Sequence, residues 1–134
     1  MDLITGGAYQ GKTEYAKESF ALKESDFFDC AEAPEVDFSR RCINKTERFT
    51  LWCARNGMDA AGYFEAHREE WLNSVIICAD ISSGVVPLGA DMRAWREQNG
   101  KLCVYLSAQA QTVTRVFCGL PQRLKCSCFL YATA

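Results

Sequence analysis

The chain has 134 residues, a length that fits one compact domain with its own core. Half of it is apolar (49%) and a quarter is charged (24%), the usual balance of a soluble globular protein. Fifteen Lys and Arg face seventeen Asp and Glu, and the net charge of -2 gives no electrostatic reason to expect a nucleic-acid or anionic-membrane partner.

The start, Met1-Asp2-Leu3-Ile4-Thr5, has neither a basic n-region nor a long apolar stretch, so a mature cytoplasmic start is expected. No apolar run approaches the roughly 18 residues of a membrane-spanning helix. Leu3-Ile4-Thr5 is a short apolar segment that runs into a glycine turn. Residues 12–22 then read as a helix, with Tyr15, Ser19 and Leu22 on one face and Ala16 and Phe20 beside it. Strand, glycine turn and helix open a parallel α/β unit. Asp26-Phe27-Phe28-Asp29-Cys30 reads as a second strand, and 31–37, with Pro34 and three acids, as a loop. From 39 to about 56, Cys42, Ile43, Phe49, Trp52 and Cys53 recur at helical spacing and Gly57 is a natural stop. A further helix is expected over 59–71. Asp59 can cap it, and Tyr63, Phe64, His67 and Trp71 line one stripe. His67, the only histidine, reads as a partly buried helix residue.

Ser74-Val75-Ile76-Ile77-Cys78-Ala79 is the clearest strand, a continuous apolar run of the kind buried on both faces of a parallel sheet. Residues 81–89, with Gly84, Pro87 and Gly89, read as a loop. A helix follows over 90–110, with Gly100 as its weak point, and the last strand is expected over 113–118. The segment 126–134 is apolar and without pattern, a tail to a single domain over 1–125. The eight cysteines are scattered; without a secretion signal a reducing compartment is expected, and most read as small buried hydrophobes. Only Cys126-x-Cys128 is a close pair. It meets no usual zinc spacing, so a cysteine metal module is the weakest alternative.

Gly6-Gly7-Ala8-Tyr9-Gln10-Gly11-Lys12-Thr13 fits the pattern G-x-x-x-x-G-K-[ST] of a phosphate-binding P-loop, and it sits between an apolar strand and an amphipathic helix. Its glycines allow backbone N–H groups to converge on an anion, and the helix start adds its positive dipole end. Lys12 supplies a charge for the β- and γ-phosphates, while the Thr13 hydroxyl suits Mg²⁺. Such sites also carry an acid at a neighbouring strand end. Asp80, after the strand at 75–79, is the first candidate for catalysis and metal binding; Asp29 is the second.

The opening Ile4-Thr5 through Ala16 resembles the start of the bifunctional adenosylcobinamide kinase / adenosylcobinamide-phosphate guanylyltransferase family. Ala79-Asp80-Ile81-Ser82-Ser83-Gly84-Val85-Val86-Pro87 is similar to its N-E-V-G-x-G-I-V-P segment, and Arg93-Ala94-Trp95-Arg96-Glu97 through Gly100-Lys101 to its R-x-F-R-D-x-x-G-R helix. Gly119-Leu120-Pro121 and Lys125 resemble its G-I-P-x-x-x-K ending. The resemblance implies an α/β fold of P-loop NTPase type, a mostly parallel sheet flanked by helices. It implies phosphorylation of adenosylcobinamide by ATP or GTP, then GMP transfer from GTP, in cobalamin assembly. Mg²⁺ would be the cofactor, nucleotide and corrinoid the ligands, and a trimer the assembly. Gly6, Gly7, Ala8, Tyr9, Gln10 and Gly11 would cradle phosphates, Lys12 would neutralise charge, and Thr13 and Asp80 would hold the metal. Three departures stand out. The region between the first helix and the strand at 75 is shortened, where the family carries the histidine that takes GMP, and His67 is not in a matching context. The family's Asn-Glu has become Ala79-Asp80. Lys101 replaces the family's Arg, and Cys103 an Asn. A kinase-only form, a nucleotide-binding protein without transferase activity, and a kinase for another small alcohol are the alternatives.

Overall fold

The computed structural model describes residues 1–81 and 89–127. The Gly84-Val85-Val86-Pro87 segment and Cys128 lie outside these residues. Six strands form one sheet: β1 (Asp2–Gly6), β2 (Phe27–Asp29), β3 (Cys42–Asn44), β4 (Val75–Ala79), β5 (Thr112–Phe117) and β6 (Leu120–Cys126), in the spatial order β2-β3-β4-β1-β5-β6. The first five are parallel and β6 runs antiparallel to β5. Among the described residues there are also five α-helices, α1 (Lys12–Phe20), α2 (Thr46–Asn56), α3 (Ala60–Ala66), α4 (Arg68–Trp71) and α5 (Ala90–Gln109), and one 3-10 turn at Glu24–Asp26.

Successive strand residues point to opposite faces, and the core divides accordingly. Leu3, Ile43, Ile76 and Val113 meet Phe49, Phe64, Trp71, Leu102 and Leu106 on the α2–α5 side. Ile4, Cys42, Val75, Ile77 and Val116 meet Ala16 and Leu22 on the α1 side. Helices on both faces explain why every residue of β4 is buried, as its unbroken apolar run predicts. Trp71 is fully buried and donates its Nε1–H to Phe64 O at 2.7 Å, while Trp52 packs against the same cluster from a half-buried position. Cys30, Cys42, Cys53 and Cys78 are buried, as small hydrophobes; Cys118 is exposed.

Several expectations change. The helix expected over 39–56 begins only at Thr46, because Cys42-Ile43-Asn44 is a buried strand wedged between β2 and β4. Three residues are too few for a period to distinguish strand from helix. The helix expected over 59–71 is two, parted at His67, whose φ of -106° and ψ of 16° are not helical. Beyond β5 the chain turns through Cys118 and Gly119 into β6, which had no apolar alternation to announce it because Leu120 to Arg123 are all exposed. Cys126 accordingly belongs to the sheet and not to a tail. Gly100 does not interrupt α5, which runs unbroken for 20 residues.

Candidate functional site

The carboxyl ends of β1, β2, β3 and β4 open onto one edge of the sheet, where a parallel α/β arrangement leaves a crevice. The loop from β1 to α1 crosses that crevice. Gly6 has φ 146°, and a Cβ there would stand 2.4 Å from Val116 O, so only glycine lets β1 end against β5 in this way. Gly11 is the N-cap of α1 and offers no side chain to its first turn. The leading N–H groups of that turn have no intrahelical acceptor and point out of the helix start, where the dipole is positive. Gln10 fastens the far side of the loop to the β5–β6 turn: its carbonyl accepts Gly119 N–H at 2.8 Å and its Oε1 accepts Cys118 N–H at 2.6 Å. Tyr9, at φ 59°, stands fully exposed at the loop tip.

Lys12 is the first residue of α1, and its ammonium turns back over the loop to donate to Gly7 O at 2.6 Å. Burial lowers its pKa below the usual 10.5, opposed by the charges of Glu47, Cys78 and Glu14. A partly desolvated ammonium folded back on a glycine loop is a cation with which an anion in the cleft could pair. Around it lies a cleft of about 420 Å³, lined by the loop residues Ala8 to Thr13, by Glu14, Asn44, Lys45, Glu47 and Arg48, and by Ile77 and Ala79.

Glu47 was not legible as a site residue. It stands in the first turn of α2, and its Oε1 accepts Ala79 N–H at 3.0 Å, an amide that β3 is too short to reach. The same corner is tied down from α5. Asn99, 3% exposed, donates to Ala79 O at 3.1 Å and accepts the Thr50 hydroxyl at 2.9 Å, while Trp95 Nε1 donates to Glu47 O at 2.8 Å. Sequence offers only a weak signal for this carboxylate, an acid in a first helical turn, because its place depends on β3 ending early.

The structure thus brings Ala8 to Thr13 together around one cleft, while Gly6 and Gly7 carry the chain into it from β1 without lining it. It places Asp80 beside the loop through its backbone, with Asp80 N–H donating to Gly6 O at 2.8 Å. Asp80 lines a separate cavity of about 120 Å³ with Thr5, Ile81, Arg96, Asn99, Gly100 and Cys103. Asp29 lies on the opposite side, at the end of β2. There it accepts Asn44 Nδ2–H at 3.0 Å and pairs with Lys45 Nζ at 3.5 Å. His67 belongs to none of this. It packs between Phe38 and Tyr63, with ring centroids 5.4 and 4.5 Å away, and its Nδ1 contacts Glu70. Among the described residues no cluster of three or more His, Cys, Asp or Glu forms a metal site, and no helix is long and apolar enough to cross a membrane. The chain matches no protein-family model and no curated protein.

Proposed function

We propose that this chain is a cytoplasmic P-loop transferase of cobalamin assembly, which binds GTP or ATP at Gly6 to Thr13 and phosphorylates the hydroxyl of adenosylcobinamide. One observation carries the nucleotide-binding part. The Lys12 ammonium lies folded on Gly7 O at the start of a nine-residue helix, above a glycine turn at the carboxyl edge of a parallel sheet. A triphosphate entering the cleft would take hydrogen bonds from the first-turn N–H groups and charge from Lys12, with Lys45 and Arg48 on the rim. The acceptor rests on the sequence resemblance.

The cleft also fits magnesium. Hydroxyl and carboxylate oxygens are the donors this ion takes, with one or two protein ligands usually sufficing beside phosphates and water. Thr13 and Glu47 would hold it, with Asp80 the alternative acid from the neighbouring cavity. Bound there, the ion supplies charge neutralisation to the phosphates. The remaining chemistry falls to the chain: positioning by the loop and charge from Lys12, the two contributions phosphoryl transfer chiefly needs.

The covalent route to guanylyl transfer needs a histidine nucleophile. The placement of His67 beside Phe38, Tyr63 and Glu70, outside the lining of the loop cleft, favours a kinase-only form. A second reading, nucleotide binding without transfer, is favoured by Asp80 lining a cavity apart from the loop cleft. Calorimetric titration with GTP and ATP, followed by turnover with and without adenosylcobinamide, separates the readings. Tight nucleotide binding with turnover only when adenosylcobinamide is present is expected. Binding without turnover sustains the second reading, and no binding sinks both.

A further inference from the structure

Resting on the nucleotide-binding reading above, we infer that the cavity between α1 and the ends of β2 and β3 receives the phosphoryl acceptor, that this acceptor is a neutral or cationic alcohol, and that Asp29 takes the proton from its hydroxyl. The cavity measures about 430 Å³ and is lined by Thr13, Glu14, Glu24, Phe27, Asp29, Asn44 and Lys45. Four of these, Thr13, Glu14, Asn44 and Lys45, also line the phosphate cleft, so the two spaces share a wall. The shared wall sits at Thr13, on the side of the loop where terminal phosphates lie against the lysine and hydroxyl.

Toward the β5–β6 turn the cleft, still bordered by Glu14, has another character. There a cavity of about 740 Å³ is walled by Tyr9, Gly11, Tyr15, Ser19, Gly119 and Pro121, with Glu14 and Glu18 its only charged residues. Aromatic rings, a proline and no cation suit a base and ribose, and leave the Asp29 side for the reacting alcohol.

Charge sets the class of acceptor. Three carboxylates, Glu14, Glu24 and Asp29, line the cavity against the single ammonium of Lys45. Lys17 pairs with Glu24 from outside the lining, which still leaves the cavity net negative. A carboxylate- or phosphate-bearing acceptor would meet repulsion here; a neutral or cationic alcohol would not.

Asp29 is built to be held still. Its Oδ1 accepts from Asn44, which is 6% exposed and whose own Oδ1 accepts Lys45 N–H at 2.9 Å, and its Oδ2 faces Lys45 Nζ. A carboxylate has about four lone-pair sites, so both oxygens keep room for a hydroxyl. In the step, the acceptor oxygen forms a bond to the γ-phosphorus and the bond from γ-phosphorus to the β,γ-bridging oxygen breaks. The nucleoside diphosphate leaves with that electron pair. The hydroxyl proton passes to Asp29 and from there to water.

The test compares the wild type with Asp29→Asn and Asp29→Glu, using GDP for binding, GTP as donor, adenosylcobinamide as acceptor and GMP as an anionic acceptor. Asn at 29 keeps the oxygen that Asn44 binds, and the position is half exposed, so folding is preserved; circular dichroism checks this. Expected is GDP affinity within about twofold of wild type in both variants, kcat lowered about 100-fold or more in Asp29→Asn, partial recovery in Asp29→Glu, and no transfer to GMP. Asp29→Asn turnover within about threefold of wild type overturns the inference, as does GMP serving as the better acceptor. Wild type that binds GDP but does not phosphorylate adenosylcobinamide also overturns it. Wild type that binds no GDP refutes the nucleotide-binding reading itself.

Discussion

At the residue scale the site depends on one ammonium. Lys12 is held below its usual pKa by burial, and phosphate oxygens would restore the charged form. Binding therefore takes up a proton at alkaline pH. Affinity for GDP is expected to hold through neutral pH and to fall as pH rises through the free-state value, which lies under 10.5. A dissociation constant that stays flat through pH 10.5 would contradict this. Lys12→Met should cost about 2 kcal/mol of nucleotide binding or more, roughly 30-fold in Kd, with the fold retained. Gly6→Ala should do the reverse and damage the fold itself, since its Cβ meets Val116 O at 2.4 Å. A loss of about 2 kcal/mol or more is expected from urea melts, because backbone on the neighbouring strand cannot turn aside as a side chain can. The spacing of Gly6, Gly11, Lys12 and Thr13 was legible from residue identity alone, because a tight turn and a helix start are local events. Glu47 was not, because it answers to an amide 32 residues away, Ala79 N–H.

At the element scale, helix ends give a matched pair of cases. α2 ends at Gly57 with φ 64° and α1 ends at Ala21 with φ 52°, the same left-handed turn with and without a Cβ. Ala21 is exposed, so Ala21→Gly is expected to stabilise the protein by about 1 kcal/mol, read as a rise in the urea midpoint at unchanged slope. A lower midpoint would show that the αL strain at 21 is not what limits α1. The long elements, β4 and α5, were legible because five or more residues repeat one environment. β3 and β6 were not. The first is three residues long and buried throughout, which reads equally as helix; the second is an edge strand exposed along most of its length, with Pro121 near its start. Pairing with β2 and β4 decided β3, and pairing with β5 decided β6.

On the scale of the whole molecule, the buried thiols link packing to pH. Burial pushes Cys30, Cys42 and Cys53 from 9.0 to about 12. Their neutral form is favoured in the folded state, so this contribution to stability is fully present below the unfolded value of 9.0 and is lost as pH rises towards about 12. Each thiol should lower stability by up to about 1.4 kcal/mol per pH unit across that window. Urea unfolding at pH 8, 9 and 10 checks it, and a free energy that does not fall above pH 9 refutes it. In the native state at neutral pH, Cys118 should react before the other cysteines among the described residues with a thiol reagent, and these three only on unfolding.

The amino-acid sequence by itself determined the glycine loop with Lys12 and Thr13, the buried central strand at 75–79, and an α/β chain. Each of these is written in contiguous residues, in turn chemistry and in unbroken apolar runs. Tertiary structure alone decided that Glu47 lines the same cleft as Lys12, where Asp29, Asn44 and Lys45 converge, and that His67 packs beside Phe38 and Tyr63 away from that cleft. Those relations join residues that are far apart in the chain. They arise only when strands of unequal length pair and leave backbone groups for side chains to satisfy.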